Sequence, residues 1–226
     1  MAPPRPADDR WLERRGVIVT AGGTREPIDA VRYLANRSSG KMGNALARAA
    51  AHAGAAVTLV TTVDPPSDVA LSEVVRVESA DSMAAAVRGA LPGSSVLLMA
   101  AAVADYRPVH VSTGKVKKSG ATWMLELEPT VDILASLRGT PERDGVYVVG
   151  FAAETADLLR NAETKLREKG LDLIVLNDVS RGDIAMGADS NEVTIIDRDG
   201  VVEVVRRAPK DEVAGAILRV VRARIA

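Results

Sequence analysis

The chain has 226 residues but no cysteine and only two histidines, which removes several kinds of chemistry at once. Without cysteine there is no disulfide, no thiolate nucleophile and no cysteine-bound zinc. His52 and His110 stand far apart in the sequence and do not suggest a histidine metal cluster. A Ser-His-Asp triad is also disfavoured, because Ser38 and Ser39 lack the G-x-S-x-G turn that exposes such a nucleophile. Any catalysis must then rest on the placement of substrates and charge.

Aromatic residues, net charge and long apolar runs are scarce as well. Aromatics make up 3% of the chain and the formal net charge is −1, so the aromatic and basic surfaces of nucleic-acid-binding proteins are missing. No apolar run approaches the roughly 20 residues that cross a bilayer. The N-terminus lacks the apolar segment of a signal peptide. These absences predict a cytoplasmic protein that binds neither nucleic acid nor membrane.

Apolar residues make up 47% of the chain, ample for a packed core, and they fall in alternating strand and helix patterns. This alternation is typical of an α/β fold with a doubly wound, mostly parallel, Rossmann-like sheet. We expect residues 1–14, rich in proline and charge, to be a linker or trimmed end, and residues 15–226 to form one domain. Strands are predicted at residues 16–20, 57–62, 74–77, 95–100, 123–127, 145–151, 171–176, 191–197 and 201–206. Helices are predicted at residues 41–54, 79–89 (capped by Ser79 or Asp81), 132–138, 155–169 and 210–226, with a loop at 24–35.

Two glycine-containing segments predict an anion site. The first strand ends in a turn with Gly22 and Gly23, and a helix is predicted directly after Ser38, Ser39 and Gly40. The free amides of a helix N-terminus, aided by the helix dipole, bind phosphate. The pattern is neither G-x-G-x-x-G nor a P-loop, and the second strand ends in two threonines instead of the acid that binds a dinucleotide ribose. A dinucleotide dehydrogenase is therefore disfavoured.

Charged residues near other strand ends extend this prediction. Asp105 follows an apolar strand, where it either caps a turn or holds a divalent cation on a nucleotide's phosphates. Lys115 lies with two further lysines in residues 109–130, a segment whose first half reads as a mobile basic flap. Lys115 is either a solvated charge or a group that reaches phosphate when the site closes. Lys165 and Lys169 share one helix face, either for solvent or for an anion between them.

Six segments, in this order, resemble phosphopantothenate–cysteine ligase, the coenzyme A biosynthesis enzyme. They are residues 20–27 (TAGGTREP), 31–43 (VRYLANRSSGKMG), 100–107 (AAAVADYR), 115–118 (KVKK), 149–155 (VGFAAET) and 176–179 (LNDV). The likeness runs from about residue 16 to the final helix. Each segment alone is weak, but together they are specific. The bacterial form is usually the C-terminal half of a chain whose other half is a flavin-dependent phosphopantothenoylcysteine decarboxylase, so the resemblance implies that fusion as a possible partner.

The resemblance implies an activity and its substrates. The bacterial family joins 4′-phosphopantothenate to L-cysteine with CTP and Mg²⁺ or a similar divalent cation. The carboxylate is first activated as phosphopantothenoyl-CMP with release of pyrophosphate. The amine of cysteine then attacks and CMP leaves. The family also dimerises through the segment after the Asp-Tyr-Arg motif, which implies a homodimer, a protruding antiparallel dimerisation segment with Trp123 at the interface, and an active site completed by its neighbour.

The resemblance also assigns roles to individual residues. Asn36 stabilises the charge that develops in the second step, and Lys115 neutralises phosphate charge in the first. Asp105 stands near the nucleotide and its cation, while Ser38, Ser39 and Gly40 cradle phosphate. The residues expected to contact CTP are Val131, Asp132, Ile133, Leu134, Phe151, Lys165 and Lys169. Because the family often has proline at the position of Val131, we expect this loop to be less rigid here.

Two other functions are weighed against this one. An NAD(P)-dependent oxidoreductase on a variant Rossmann sheet would show nicotinamide binding by fluorescence titration. A non-catalytic sensor of phosphorylated ligands would bind the substrates without releasing pyrophosphate. The ligase alone predicts pyrophosphate release when CTP, phosphopantothenate and cysteine are present together.

Overall fold

An eight-stranded sheet forms the centre of the computed structural model, which describes residues 10–154, 156–178 and 187–225. In chain order the strands are β1 (Gly16–Ala21), β2 (Arg25–Pro27), β3 (Tyr33–Ala35), β4 (Ala56–Thr61), β5 (Glu73–Arg76), β6 (Ser94–Met99), β7 (Tyr106–Pro108), β8 (Leu127–Pro129), β9 (Tyr147–Glu154), β10 (Leu173–Asp178), β11 (Ser190–Asp197) and β12 (Gly200–Pro209). The helices are α1 (Lys41–His52), α2 (Ala80–Ala90), α3 (Ile133–Leu137), α4 (Leu158–Glu168) and α5 (Lys210–Ile225).

The order of the strands places a crevice at one edge of this sheet. The sheet reads β12-β11-β10-β9-β6-β1-β4-β5, and the six strands from β10 to β5 are parallel. The strands β11 and β12 add an antiparallel hairpin at the β10 side. From β1 the chain goes first to β4 on one side and later to β6 on the other, so the winding reverses between β1 and β6. Ligands of open α/β sheets bind beyond the carboxyl ends of the strands at this point. The predicted doubly wound, mostly parallel sheet is confirmed.

Helices cover both faces of the sheet, which is why its central strands, such as β1, β4 and β6, are nearly continuous apolar runs. Along β1, Val17 and Val19 belong to the core cluster that contains buried residues of α1 and α5. Ile18 points the other way, into the cluster that contains Met83 of α2 and Leu166 of α4. The two-residue period of a strand thus divides its side chains between two cores.

Two sequence expectations about the connecting segments are wrong. Residues 24–35, expected as a loop, contain β2 and β3, which pair as an antiparallel hairpin. The strand expected at residues 123–127 is instead β8, which pairs antiparallel with β7. The partner β7 is only three residues long, so its ladder spans Leu127–Pro129 and leaves residues 123–126 outside any strand.

The helix ends agree with the sequence to within a few residues. Ser79, and not Asp81, is the cap of α2: its hydroxyl accepts from the Ser82 amide, and Ser82 returns the bond to the Ser79 amide. The helix α4 begins at Leu158, later than expected, and the predicted first residue, Thr155, lies outside the described residues. The hairpin turn expected at residues 198–200 joins β11 to β12.

The residues just before β1 pack on the domain. Leu12 is fully buried, and its amide donates to the Ala53 carbonyl at 3.0 Å, directly after α1. The rest of the predicted linker, residues 1–9, lies outside the described residues, as does Ala226 at the end of the predicted last helix. Within the described ranges, every helix is too short or too polar to cross a membrane.

Candidate functional site

A cleft of about 460 Å³ lies at the carboxyl ends of β1, β6, β9 and β10, where the sheet topology predicts a ligand. The cleft contains most of the residues that the sequence suggested for binding. Those that line it are Asn36, Ser38, Ser39, Gly40, Asp105, Val131, Asp132, Ile133, Leu134, Phe151, Lys165 and Lys169. Residues separated by more than 100 positions therefore meet in one cavity of the size that holds small molecules.

Buried hydroxyls fix the loop that follows β6 across the floor of the cleft. Thr20 and Thr24 are both fully buried. The Thr20 Oγ1 accepts from the Ala101 amide at 3.0 Å, and the Thr24 Oγ1 accepts from the Ala104 amide at 2.8 Å. The amide of Ala102 donates to the Gly22 carbonyl at 2.8 Å. These bonds position Asp105 at the rim, and no sequence pattern indicated the part that the two threonines play.

Asn36 links this loop to the loop before α1. Its Nδ2 donates to the Val103 carbonyl at 3.0 Å, while its side chain remains exposed to the cleft. A primary amide has two N–H donors. The bond to Val103 uses one and orients the group, so the second can donate to a substrate oxygen.

The N-terminus of α1 opens into the cleft. Gly40 is the N-cap residue and has a left-handed backbone with φ of 73°, and an added Cβ would collide with the Val63 side chain. Gly40 has no side chain that could cap the helix, so among the residues that the structure describes the first-turn amides stay available for an anion. The Gly40 amide donates to the Ser38 Oγ at 3.4 Å, which draws the serine loop against the helix end.

Lys165 and Lys169 reach the cleft, and each is already paired with a carboxylate. The Lys165 Nζ lies 2.6 Å from the Glu154 Oε1, and the Lys169 Nζ lies 3.1 Å from the Asp132 Oδ2. The other oxygen of Asp132 accepts from the Ala135 amide at 3.0 Å and caps α3. An anionic ligand must therefore compete with these two acids for the lysine charges.

Two further lysines in the cleft were missed from the sequence. Lys41 opens α1 and its Nζ lies 2.5 Å from the Asp189 Oδ1, so the Lys41 ammonium lowers the pKa of Asp189. Lys210 opens α5 and is almost fully buried, with its Nζ donating to the Asn191 Oδ1 at 3.0 Å and to the Ala188 carbonyl. Burial lowers the pKa of Lys210, and the charge of Lys41 lowers it further. The sequence signal that could have identified Lys210 as a cleft residue is its position directly after Pro209, at the start of a helix. Lysine is so common at helix surfaces that this position did not single it out.

Gly22 and Gly23, predicted as ligand contacts, lie behind the cleft and do not line it. Gly22 has φ of 89°, and an added Cβ would collide with the Thr62 Oγ1. An added Cβ on Gly23 would stand 3.0 Å from the Asn36 carbonyl oxygen. Both glycines allow the turn after β1 to pass closely by neighbouring loops. Their contact with a ligand stays a prediction.

Lys115 also lies outside the cleft of its own chain. It is exposed next to Val116, which docks on the hairpin of β2 and β3. The Val116 amide donates to the Asp29 Oδ2 at 3.1 Å, and the Arg32 Nη2 donates to the Val116 carbonyl at 2.8 Å.

The Arg32 guanidinium also stacks on the Trp123 ring at 4.6 Å. Arg32 forms a salt bridge with Asp29 and strongly lowers the pKa of that carboxyl. We call residues 109–126 the arm.

Asp105 is the one predicted metal ligand. It is exposed at the cleft, and its carboxylate has no hydrogen-bond or salt-bridge partner in the part of the chain that the structure describes. Across those same residues, no group of three or more histidine, aspartate or glutamate side chains could hold a metal. The donors present thus suit Mg²⁺ bound by one carboxylate together with a substrate's phosphates, and do not suit an all-protein cage.

Comparison with known proteins gives this fold and cleft a family. The family model described as "DNA/pantothenate metabolism flavoprotein C-terminal domain" matches residues 12–225. The coenzyme A biosynthesis bifunctional protein CoaBC of Bacillus subtilis is 46% identical over 192 residues, which cover 84% of this chain and 46% of that protein. The chain thus spans about half the length of this curated relative.

Two solved structures share the fold of this chain. The crystal structure of the C-terminal domain of a coenzyme A biosynthesis bifunctional protein CoaBC matches with a TM-score of 0.75 and 39% identity, covering 96% of this chain and 98% of that one. A Cab2 mutant in complex with phosphopantothenate-cysteine matches with a TM-score of 0.76 over 98% of this chain and 94% of that one. At 16% identity the second match shows the fold alone.

Proposed function

The chain belongs to the DNA/pantothenate metabolism flavoprotein C-terminal domain family, and from that premise we propose that it is the phosphopantothenate–cysteine ligase of coenzyme A biosynthesis. The observation that carries the proposal is the meeting of three groups in one cleft: the amide of Asn36, the open N-terminus of α1 and two lysines at the C-terminal end of α4, Lys165 within the helix and Lys169 directly after it. Together they offer sites for a phosphorylated acid and a nucleotide side by side. The oxidoreductase alternative finds no support in this family.

In the proposed first step, a carboxylate oxygen of 4′-phosphopantothenate attacks the α-phosphorus of CTP. The bond to pyrophosphate breaks and phosphopantothenoyl-CMP forms. Lys165 and Lys169 would exchange their salt bridges with Glu154 and Asp132 for contacts with the phosphates of the nucleotide. A lysine ammonium is a compact charge on a flexible side chain, which suits such an exchange. Asp105 would hold a divalent cation, which neutralises phosphate charge when bound. Ser38, the neighbouring Ser39 and the α1 amides would hold phosphate.

In the proposed second step, the amine of cysteine attacks the acyl carbon, and the new amide forms as CMP leaves. The ammonium proton passes to water or to the leaving phosphate. Negative charge develops on the acyl oxygen during this attack. The free N–H of Asn36 would donate to that oxygen, and its bond to the Val103 carbonyl keeps the amide oriented before the charge appears.

Asn36→Asp tests this role. A carboxylate accepts hydrogen bonds but cannot donate one, so the second step should slow by about 10²-fold or more while the first continues. Quenched reactions analysed by mass spectrometry should then show phosphopantothenoyl-CMP accumulating. The same isosteric change at Asn44, on α1 but outside the cleft, should leave the intermediate undetected. Normal product formation by Asn36→Asp, with no intermediate, would refute the assignment.

We also propose that CTP is the nucleotide and that the active protein is a homodimer. Measuring pyrophosphate release with CTP and with ATP in turn tests the nucleotide directly. The arm, the β2–β3 hairpin and β7 expose Met124 at 84%, Val31 at 61% and Tyr106 at 52%, respectively, an apolar surface that suits a second copy of this chain. Because Lys115 lies outside its own cleft, we infer that it serves the cleft of the partner.

A further inference from the structure

A second cavity, of about 530 Å³, lies at the opposite edge of the sheet from the cleft. Its lining residues come from just before β9, just before β10 and the turn between β11 and β12, which places it at the amino ends of the parallel strands. Four of these residues are arginines: Arg138, Arg143, Arg167 and Arg198. We call this cavity the arginine pocket. Nothing in the proposed reaction uses it.

Two of the arginines converge at the end of α4. The Arg138 Nη1 donates to the Glu168 carbonyl at 3.0 Å, and the Arg143 Nη1 donates to the Lys169 carbonyl at 3.3 Å. Arg143 also donates to the Gly170 carbonyl. Both side chains crowd Gly170, where an added Cβ would stand 3.5 Å from the Arg143 Nη1 and 3.6 Å from the Arg138 Cδ. A guanidinium has five N–H donors, so these bonds leave donors of both arginines for a ligand.

The acids around the pocket do not balance its charge. Among the described residues that line it, Asp144 is the one acid, and Arg198 lies 3.7 Å from Asp172, whose other oxygen accepts from the Val148 amide. Arg167 lies 4.0 Å from Glu163, a loose and largely exposed pair. Burial lowers the pKa of Arg143, and the charges of Arg198 and Arg138 lower it further against the opposing effect of Asp172. The pocket thus holds like charges close together.

We propose that the arginine pocket binds a multivalent anion of the phosphate class, separately from the cleft. Planar guanidinium groups bind phosphate oxygens through paired, charge-assisted hydrogen bonds. The pocket is large enough for a diphosphate, and an anion between Arg138, Arg143 and Arg198 relieves their mutual repulsion. The same anion competes for Arg143, which holds the carbonyl of Lys169, whose ammonium lies in the cleft. Occupancy of the pocket therefore alters the end of α4 that carries a nucleotide-binding lysine.

Calorimetric titration of the full chain with inorganic pyrophosphate tests the proposal. Since pyrophosphate also suits the cleft, the titration uses a Lys165→Ala, Lys169→Ala background, in which cleft binding is weakened. Arg167→Ala and Arg198→Ala, added together, remove side chains that are 67% and 71% exposed, so folding should survive. Loss of Arg198, which contacts the proposed anion, together with Arg167, a second positive charge that lines the pocket, should weaken the remaining affinity about tenfold or more.

Arg160→Ala and Arg206→Ala, added to the same background, form the matched control. Arg160 lies on α4 and Arg206 on β12, both exposed and outside the pocket. The control pair should leave the affinity within about twofold, because screening limits the effect of distant exposed charges. Equal affinity in the pocket variant and its background, or an equal loss in both variants, would overturn the proposal. Crystals soaked with tungstate give a second readout. An anomalous peak at Arg138 and Arg143 is expected, and a peak in the cleft alone would count against the site.

Discussion

The contact between α1 and β1 gives the sharpest prediction, through Gly43→Ala. A Cβ at residue 43 would stand 2.5 Å from the Ala21 Cβ, 2.7 Å from the Thr20 carbonyl oxygen and 2.8 Å from the Ala21 Cα. Carbon atoms pack at about 3.5–4.0 Å, so the helix must retreat from the strand by roughly 1 Å. Two of the three obstructing atoms are backbone, so no side-chain rotation relieves the clash.

The size of the effect follows from two opposing terms. Overpacking of this kind destabilises by about 1–3 kcal/mol. Alanine in a helix offsets roughly 0.5–1 kcal/mol of that relative to glycine. Because two of the clashing atoms are backbone, the upper part of the overpacking range, about 2–3 kcal/mol, applies. A net loss of about 1–2.5 kcal/mol remains, which lowers the Tm of a domain of this size by about 2–10 °C. Because α1 also presents Gly40 and Lys41 to the cleft, kcat/KM for phosphopantothenate should fall by about tenfold or more.

Gly215→Ala is the matched control for this measurement. Gly215 lies in the interior of α5, and the nearest atom to its added Cβ is the Arg219 Nη1 at 3.9 Å, an ordinary contact. Here the helix gains alanine without a clash, so stability should rise by about 0.5–1 kcal/mol. Urea or thermal unfolding measures both variants. If Gly43→Ala is as stable as the parent chain, the close approach of α1 to β1 does not constrain residue 43 and the reasoning is wrong.

Three further predictions concern the arm and the β2–β3 hairpin on which it docks. Lys115→Gln should slow pyrophosphate release. If Lys115 acts in the partner's cleft, mixing this variant with Asn36→Asp should restore activity, since one site of each mixed dimer then has both residues intact. No recovery on mixing would exclude that arrangement. Met124→Glu should dissociate the proposed dimer in sedimentation experiments, whereas Val204→Glu, on an exposed position of β12, should not; equal behaviour would remove the arm from the interface. The salt bridge with Arg32 depresses the pKa of Asp29, so its stabilising effect is present above the unfolded pKa of about 3.9 and is lost as pH falls through the lower folded value. The difference in unfolding free energy between the parent chain and Asp29→Asn should therefore shrink below about pH 4, and a constant difference would contradict this linkage.

The sheet was predictable because burial on both faces leaves a simple signal. The strands β1, β4 and β6 are apolar runs ended by turn residues, and each lies within a residue or two of its expected place. The arm was not predictable in the same way. The alternating pattern at residues 123–127 resembles a half-buried strand, but in the single chain it produces exposed apolar side chains beside β8. A period of two does not tell whether the apolar face meets its own core or another molecule.

The cleft was predicted in outline, and its electrostatics were not. The spacing of Lys165 and Lys169 placed both on one face of α4, as observed. Their partners, Glu154 at the end of β9 and Asp132 before α3, are 11 and 37 residues away in sequence, beyond any helical spacing rule. Gly22 and Gly23 illustrate another limit. A glycine that admits a ligand and a glycine that admits a neighbouring loop are identical in sequence, because both are defined by a missing Cβ.

The paired lysines of α4 make this cleft a filter for the number of charges on a ligand. Each ammonium is already neutralised, so a monovalent ion such as chloride or acetate offers no more than the carboxylate it would displace. A triphosphate offers several negative charges at once and can recruit both lysines together, releasing two acids to solvent. Simple salts should therefore compete poorly for these two lysines. The affinity of the cleft for nucleotides should therefore rise steeply from nucleoside mono- to triphosphate, and no separate pocket for each phosphate is needed for this discrimination.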